Sequence, residues 1–487
     1  MTGTDSVQEQ SQTLLSLEEL LGAVKGTRVL GPDSLVFLSV ATDSRVVGDK
    51  CLFVPLIGEK QDGHAYIPDA LAAGASVVFV ERKHYKEQKD LYSGLSAKYP
   101  MGVFIAVEDT LGALQHAAAR YVEKFPRLIR IGITGSSGKT TTKEIAATIL
   151  SERYRVVATE GNLNSETGLP LSVFKIRAEH EVGIFEMGVN REHEMDELAF
   201  VLKPQAAIVT NIGTAHIGKF GSRDAIAHEK AKIFSYFKGR GENVAVIPFD
   251  DDYAKLLARE AKGNVVYYGI NAHDSTVRFV ADRGLAGTEF SIAGQRALFP
   301  LPGMHNFKNA LAAIVLAQSL GLSASEIIRG AQKVQPLFGR SQIVRGTYTI
   351  VQDCYNANPD SMQKAVAFAS SVPDVKRRIF VLGDMLELGD EAEASHRAIG
   401  TCAAQSTASV VVFVGPLMKE AFLAAEKAGG TAKLYYVEEF DDSAMSKVAK
   451  IVKKAAKKGD LILLKASRGM ALERIVPLLQ GNSGGAK

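Results

Sequence analysis

Apolar and polar positions alternate from Leu128 to Ile133, as in a strand with one covered face. They then give way to Ile145, Ile149 and Leu150 at helical spacing. Between the two patterns lies Gly132-Ile-Thr-Gly-Ser-Ser-Gly-Lys-Thr-Thr-Thr142, so the spacing predicts a strand, a glycine-rich loop and a helix in succession. Downstream, short apolar runs recur at Val156 to Thr159, Val182 to Glu186, Ala206 to Thr210 and Asn243 to Ile247, with helical stretches between them. That alternation predicts an α/β fold built on a mainly parallel sheet covered by helices. In such sheets ligands gather at the carboxyl ends of the strands, where Glu186, Thr210 and Asn211 fall.

Three domains are expected. Residues 1–108 mix short strands and helices, ending near Val103 to Val107, and form a small N-terminal α/β module. Residues 109–336 hold the glycine-rich loop, approached by an amphipathic helix from Thr110 to just before Pro126. Residues 337–487 repeat the strand and helix alternation, with strands at Tyr348 to Asp353, Arg378 to Leu382, Val410 to Val414, Leu434 to Val437 and Asp460 to Lys465. This last unit reads as Rossmann-like but lacks GxGxxG, which argues against a dinucleotide. The glycine-rich tail Gly481 to Lys487 has one small apolar residue and is expected to be disordered.

Composition narrows the partners. With 57 Lys and Arg against 54 Asp and Glu among 487 residues, the net charge of +3 calls for neither nucleic acid nor an anionic membrane. An anionic ligand must be met locally. Cys51, Cys354 and Cys402 lie far apart without metal-ligand spacing, as suits ordinary residues in a reducing cytoplasm. Met1 to Gln12 is polar and the apolar runs are only strand-length, so neither a signal peptide nor a membrane span is expected.

The loop is the clearest chemical signal. Backbone amides around Gly135, Ser136, Ser137 and Gly138, with the start of the following helix, can surround a triphosphate. Lys139 would reach the outer phosphates, and the Thr140 hydroxyl, beside Thr141, would sit on a magnesium ion. The spacing departs from GxxxxGK[ST], because Ile133 stands five before Gly138. The plain alternative is a glycine-rich turn that binds nothing.

Further polar clusters follow predicted strands: Gly161-Asn-Leu-Asn164, Glu186-Met-Gly-Val-Asn190, Thr210-Asn-Ile-Gly-Thr-Ala-His216 and Ala227-His-Glu-Lys230. Later come Leu301-Pro-Gly-Met-His-Asn306 with Asn309, Gly339-Arg340, Asp353-Cys-Tyr-Asn-Ala-Asn-Pro359, Leu382-Gly-Asp-Met-Leu-Glu-Leu-Gly389 and Lys465-Ala-Ser-Arg468. In this order and spacing the chain resembles the Mur ligases, ATP-dependent amide-forming enzymes of peptidoglycan precursor synthesis. The resemblance runs from Asp43-Ser-Arg45 and Asp62-Gly-His64 to Lys465-Ala-Ser-Arg468, nearly the whole chain. The segments Asp353 to Met362 and Gly383 to Gly389 are similar to those of the branch that adds D-alanyl-D-alanine.

The resemblance implies a reaction and a site. ATP would activate the terminal carboxylate of UDP-N-acetylmuramoyl-tripeptide as an acyl phosphate, which the amine of D-alanyl-D-alanine attacks. It implies two magnesium ions, held by Thr140, Glu186, His216 and a carbamylated Lys230. It places His305, Asn306 and Asn309 near adenine and Asp353 on the ribose. Arg340 and Lys465 would reach the phosphates and the acyl group on domain closure, making Lys139, Lys230, His216, Arg340 and Lys465 the catalytic set. Ser44, Arg45, Asp62 and His64 would hold the UDP-sugar, and Asn162, Asn164, Asn356 and Asn358 would lie on the substrate side. A cytoplasmic monomer serving cell-wall growth, cell shape and division is the corresponding expectation.

Some positions depart from the family pattern. Ser165 stands where a second asparagine is usual, Ala466 replaces a glycine, and Lys232 replaces a frequent glutamate, adding a positive charge near Lys230. Plainer readings exist as well: Lys230 in an exposed helical ion pair, His216 as a satisfied strand-end histidine, Glu186 as a helix cap, Asp353 and Arg340 as structural residues, and His64 and His396 in packing. Lys450 to Lys458 reads as a solvated helix face. Two other functions remain open: a ligase adding a single amino acid to the dipeptide precursor, and a nucleotide-gated switch without ligase activity.

Overall fold

The structure, a computed structural model, describes residues 13–272 and 276–480. The polar start Met1 to Gln12 and the tail Gly481 to Lys487, expected to be disordered, lie outside the described residues. Contacts group the chain into two compact units: Met1–Gly132, Arg155–Gly188 and His193–Gln205 form the first, and Ile133–Tyr154, Val189–Glu192 and Ala206–Lys487 the second.

The first unit opens with five strands: β1 Thr27–Leu30, β2 Ser39–Ala41, β3 Cys51–Phe53, β4 Ala75–Glu81 and β5 Val103–Val107. They lie in the order β1-β5-β4-β3-β2. Only β1 runs antiparallel to its neighbour. Strands β4 and β5 are almost wholly apolar because both faces are covered. Phe53, Ile67, Val78, Val80 and Phe104 build the core on one of those faces. The helix Thr110–Glu123 starts where Asp109 accepts from the amides of Leu111 and Gly112 at 3.2 and 2.6 Å, a side-chain cap on its first turn. Strand β7 (Val156–Ala158) pairs in parallel with β8 (Val182–Glu186), whose last residue is Glu186.

In the second unit, the end of β6 (Ile129–Thr134) meets the residue after β9 (Ala206–Val209) where Thr210 N donates to Thr134 O at 2.9 Å. β10 (Val244–Pro248) and β11 (Asn264–Tyr268) continue in parallel from β9. An antiparallel sheet of β12 (Val277–Asp282), β13 (Thr288–Ile292) and β14 (Gln295–Phe299) comes next, which the apolar pattern did not announce. Its half-exposed strands carry too many charges to stand out as apolar runs.

The last six strands are β15 (Gln342–Arg345), β16 (Thr349–Asp353), β17 (Arg378–Gly383), β18 (Val410–Val414), β19 (Lys433–Val437) and β20 (Leu461–Lys465), in the order β15-β16-β20-β17-β18-β19. All but β15 are parallel. Alternate residues feed two separate cores: Phe380, Leu382, Leu461 and Leu463 on one face, Ile379, Val381, Ile462 and Leu464 on the other. Five of the expected strands of this region match within a residue at either end, and β15 is the addition. The parallel order brings the ends of β16 and β20 side by side, with Asp353 opposite Lys465.

Candidate active site

The glycine-rich loop is fastened from below. Thr210 Oγ1 donates to Ser137 O at 2.6 Å, and the Asn211 amide donates to the same carbonyl at 2.9 Å. Ser136 N and Ser137 N donate to Asn211 O and Oδ1 at 3.0 and 3.2 Å. Two loop amides therefore serve the loop's own shape, which leaves the start of the helix Lys139–Leu150 as the part able to meet an anion. Gly138 precedes that helix at φ +81°, and a Cβ there would lie 2.6 Å from Asn309 Oδ1. The left-handed backbone favours glycine, and any side chain there would have to push Asn309 aside. Lys139 Nζ lies over the loop, donating to Gly135 O at 2.9 Å. Thr210 and Asn211, which hold the loop, were marked in the sequence only as strand-end residues.

His216 follows the same strand. It sits in the left-handed region at φ +63°, ahead of the short helix Ile217–Phe220, so it is a loop residue rather than part of a strand. Burial, then the positive charges of Lys139, Lys230 and Lys219, hold its pKa down at about 4. At pH 7 the imidazole is therefore neutral and chemically fit to bind a cation. Glu387 Oε2 is 3.8 Å from Nδ1, beyond hydrogen-bonding reach.

Lys230 lies on the helix Arg223–Ala231 and is only 2% exposed, which overturns its reading as an exposed ion-pair residue. Lys232 does not press on it unbalanced: Lys232 Nζ pairs with the Glu229 carboxylate at 2.8 Å. The departure from the family pattern at 232 is thus compensated one turn away.

The C-terminal strands bring a second group to the same unit. Arg340 Nη2 donates to Thr140 Oγ1 at 3.0 Å, and its guanidinium lies 4.2 Å from the centre of the Tyr355 ring. Lys465, 3% exposed, forms an ion pair with Asp353 Oδ2 at 2.9 Å and donates to Asn356 O at 2.8 Å. Asp353 Oδ1 accepts from Ser341 N at 3.2 Å, and His305 Nε2 lies 3.2 Å from Ser341 Oγ. Burial and Lys465 push the His305 pKa down to about 4, against the pull of Asp353. Ala466 has no left-handed backbone and is fully buried, so its methyl is accommodated without strain.

Several asparagines expected at ligands are engaged with the chain itself. Asn306 Nδ2 donates to Pro302 O at 2.8 Å. Asn358 caps the helix Pro359–Ser371, accepting from Ser361 N at 2.8 Å. Asn356 Oδ1 accepts from Ala357 N at 2.8 Å. Pairs that the sequence could not announce are Tyr355 with Arg340 and Ser341 with His305, since each partner is chosen by the packing of distant strands.

The first unit carries the remaining candidates. Glu186 is 2% exposed; its carboxylate accepts from Asn164 Nδ2 at 2.7 Å and its backbone amide donates to Thr159 Oγ1 at 3.0 Å. It is no surface cap. Asn162 O accepts from Asn164 N at 2.8 Å, a tight turn ahead of Ser165. Ser44 lies in a short 3-10 turn begun by Asp43, whose carboxylate holds the Arg45 guanidinium at 2.6 Å. Arg45 is itself largely exposed, with 86% of its side chain open.

Asp62, His64 and His84 bring their ligand atoms close enough for a metal ion. The hydrogen bonds argue otherwise. His64 Nε2 accepts from Glu81 N at 3.0 Å, which puts the imidazole proton on Nδ1, facing Asp62 Oδ1 at 2.7 Å. Nδ1 is then a donor to the carboxylate and has no lone pair for a metal. His64 serves structure, as does His396, whose two ring nitrogens meet Met385 N and Ala392 O at 3.1 and 2.6 Å.

Comparison with known proteins matches three segments of the chain: the Mur ligase family catalytic domain over residues 37–122, the Mur ligase middle domain over 133–317, and the Mur ligase glutamate ligase domain over 339–468. The chain is 45% identical over 468 residues to the UDP-N-acetylmuramoyl-tripeptide--D-alanyl-D-alanine ligase of Treponema pallidum, covering 96% of this chain and 99% of the relative. It is 34% identical to the ligase of the same name from Bacillus subtilis, covering 95% and 97%. Among solved structures, MurF from Acinetobacter baumannii superposes with a TM-score of 0.82 at 28% identity, covering 95% of this chain and 98% of that one. The MurF ligase of Thermotoga maritima, solved with ADP, gives 0.75 at 27% identity, covering 91% and 97%.

Proposed function

The chain belongs to the Mur ligase family, and on that premise we propose that it joins D-alanyl-D-alanine to UDP-N-acetylmuramoyl-tripeptide, converting ATP to ADP and phosphate. The observation that carries this reading is end-to-end likeness to ligases of that name, with no large segment of either chain left over. The residues fit the chemistry. A carboxylate is a poor acyl donor, so a phosphoryl group from ATP must first make it an acyl phosphate; the amine then forms the C–N bond as phosphate leaves. Phosphoryl transfer between two anions demands neutralisation and alignment more than covalent help.

Lys139 and the first turn of its helix hold the phosphates. Arg340 adds a second cation at Thr140. The Lys465–Asp353 pair stands at the adjoining strand ends, with Asp353 offered to the ribose and Lys465 to the acyl group. His305, Asn306 and Asn309 line the start of the helix Met304–Ser319 on the adenine side. Ser44, Arg45, Asp62, Asn162 and Asn164 serve the UDP-sugar substrate, with His64 holding Asp62 in place, and Asn356 and Asn358 shape the dipeptide side.

Thr140, Glu186, His216 and Lys230 are the proposed holders of two magnesium ions, which would neutralise the transferring phosphoryl group. His216 suits that task as a neutral imidazole. Lys230 suits it only when modified. Two like unit charges about 4 Å apart repel by about 4 kcal/mol at an effective dielectric of about 20, and a divalent ion doubles this. A carbamate on Lys230 reverses the sign of that interaction.

We assign residues 1–108 to the UDP-sugar, 109–336 to ATP and 337–487 to the incoming dipeptide. Among the described residues no helix is long and apolar enough to cross a membrane; a cytoplasmic monomer is the corresponding proposal. The test is ATP-dependent phosphate release with product mass, in one tube with UDP-N-acetylmuramoyl-tripeptide and D-alanyl-D-alanine, in another with the dipeptide precursor and single amino acids. Product only in the first supports the reading. Product only in the second moves the chain to the preceding step, and hydrolysis equally fast without either acceptor replaces the ligase with a nucleotide switch.

A further inference from the structure

The loop from Asn211 to His216 is held through three successive backbone amides by three different elements. Ile212 N donates to Asp251 Oδ2 at 2.8 Å, Gly213 N to Ser136 Oγ at 2.9 Å, and Thr214 N to Asp360 Oδ2 at 3.2 Å. Asp251 follows β10 and also accepts from Tyr253 N at 3.0 Å, so it is fixed locally. Ser136 belongs to the phosphate loop. Asp360 alone comes from the C-terminal strands and helices, in the first turn of the helix Pro359–Ser371.

The Asp360 contact is close and rigid. A Cβ on residue 213 would lie 2.0 Å from Asp360 Oδ2, so only glycine lets the carboxylate approach. The first turn that presents Asp360 is itself tied by reciprocal bonds between Asn358 and Ser361, at 2.8 and 3.0 Å. One turn further stands the exposed Lys364, whose charge is attracted to both Asp360 and Asp251. The two carboxylates that grip the loop thus share a lysine.

We propose that Asp360 is a positioning residue, gripping the Gly213–Thr214 backbone so that His216 and the Ser136 end of the phosphate loop are aligned only while the C-terminal helix is docked. Thr214 is two residues from His216, and Gly213 is bonded directly to Ser136, so one carboxylate reaches both halves of the phosphate-handling apparatus. Asp360 needs no contact with nucleotide or acyl group to do this. The inference rests on the ligase reading for its kinetic readout and stands without it for its structural one.

The test compares Asp360→Ala and Asp360→Asn with the full-length wild type, by hydrogen exchange of the segment 211–221 and by steady-state ligation per folded enzyme. Asp360→Ala is expected to exchange faster in that segment alone and to lose about tenfold in kcat, as fits one hydrogen bond to a charged group, with KM for ATP near the wild-type value. Asp360→Asn keeps an acceptor oxygen and should recover most of that rate. Unchanged exchange in 211–221, an unchanged kcat per folded enzyme, or an asparagine variant as slow as the alanine one each overturns the proposal. Should Asp360→Ala fail to fold, Asp360→Ser carries the same test, because its hydroxyl is too short to reach Thr214. If the wild type itself forms no product, the ligase reading falls, and the exchange comparison still decides the grip.

Discussion

Arg340 Nη2 donates to Thr140 Oγ1 at 3.0 Å, joining a residue of the C-terminal region to the hydroxyl that follows the phosphate-loop lysine. The guanidinium lies over the Tyr355 ring at the same time, 4.2 Å from the ring centre. A lysine cannot keep both contacts, because its charge is a point rather than a planar fork. Arg340→Lys is therefore expected to lower kcat about ten- to a hundredfold with an unchanged melting temperature. Steady-state kinetics beside a thermal melt check this, and a rate near wild type removes Arg340 from the phosphate site.

Lys139 and Gly138 are neighbours with different tasks. Lys139→Ala removes the cation proposed to meet the phosphates while leaving the loop's fastening to Thr210 and Asn211 in place. It should abolish turnover in a normally folded protein. Gly138→Ala instead forces a methyl against Asn309 and strains a left-handed turn, so it should weaken ADP binding itself. Calorimetric titration with ADP separates the two; equal ADP affinity in Gly138→Ala and wild type would show that the loop tolerates the methyl.

Lys230 is buried beside His216, where an ammonium would oppose a magnesium ion. Lys230→Arg keeps the positive charge and cannot be carbamylated, so ligation should fall by at least a hundredfold. Wild-type activity should drop in bicarbonate-free buffer and return when bicarbonate is restored. Full activity without bicarbonate, together with an unmodified lysine by peptide mass, would falsify the carbamate.

Among the described residues six histidines have pKa values held below the ordinary 6.5, with desolvation the leading cause in each: His64, His116, His180, His216, His305 and His396. For a base, a lowered folded value means that the unfolded chain binds more protons in the window between the two values. Stability is then fully present above pH 6.5 and is lost as pH falls toward about 4, the value for His216 and His305. The depressed carboxyls Asp43 and Glu326, both at about 2, act only below their ordinary 3.8 and 4.5. Denaturant melts at pH 7, 6 and 5 should therefore show falling stability, with a shallower fall in His305→Asn. Parallel pH profiles of the two proteins would remove His305 from the account.

Much of the candidate site was legible in the chain because a phosphate-binding loop is built by local rules. A strand, a glycine turn and a helix start must be contiguous, so the spacing from Leu128 to Leu150 announced them, and Lys139 and Thr140 with them. Parallel strands place their last residues along one edge, which made Glu186, Thr210 and Asn211 visible as candidates before any packing was known, while Asp353 and Lys465 were singled out by the family resemblance. The antiparallel sheet β12 to β14 escaped because half-exposed, charged strands dilute the apolar period on which such reading depends.

Partners were another matter. The sequence by itself determined which residue types sit at strand ends and in the phosphate loop, since backbone period and glycine conformation are properties of neighbours along the chain. Only the tertiary structure decided that Lys465 meets Asp353, that Arg340 reaches Thr140, that Lys230 is buried with its neighbouring Lys232 balanced by Glu229, and that Asp360 grips Thr214. Those pairings arise from strand order and register across long separations in sequence, where the sum of many buried contacts, rather than any local preference, selects which side chains come together.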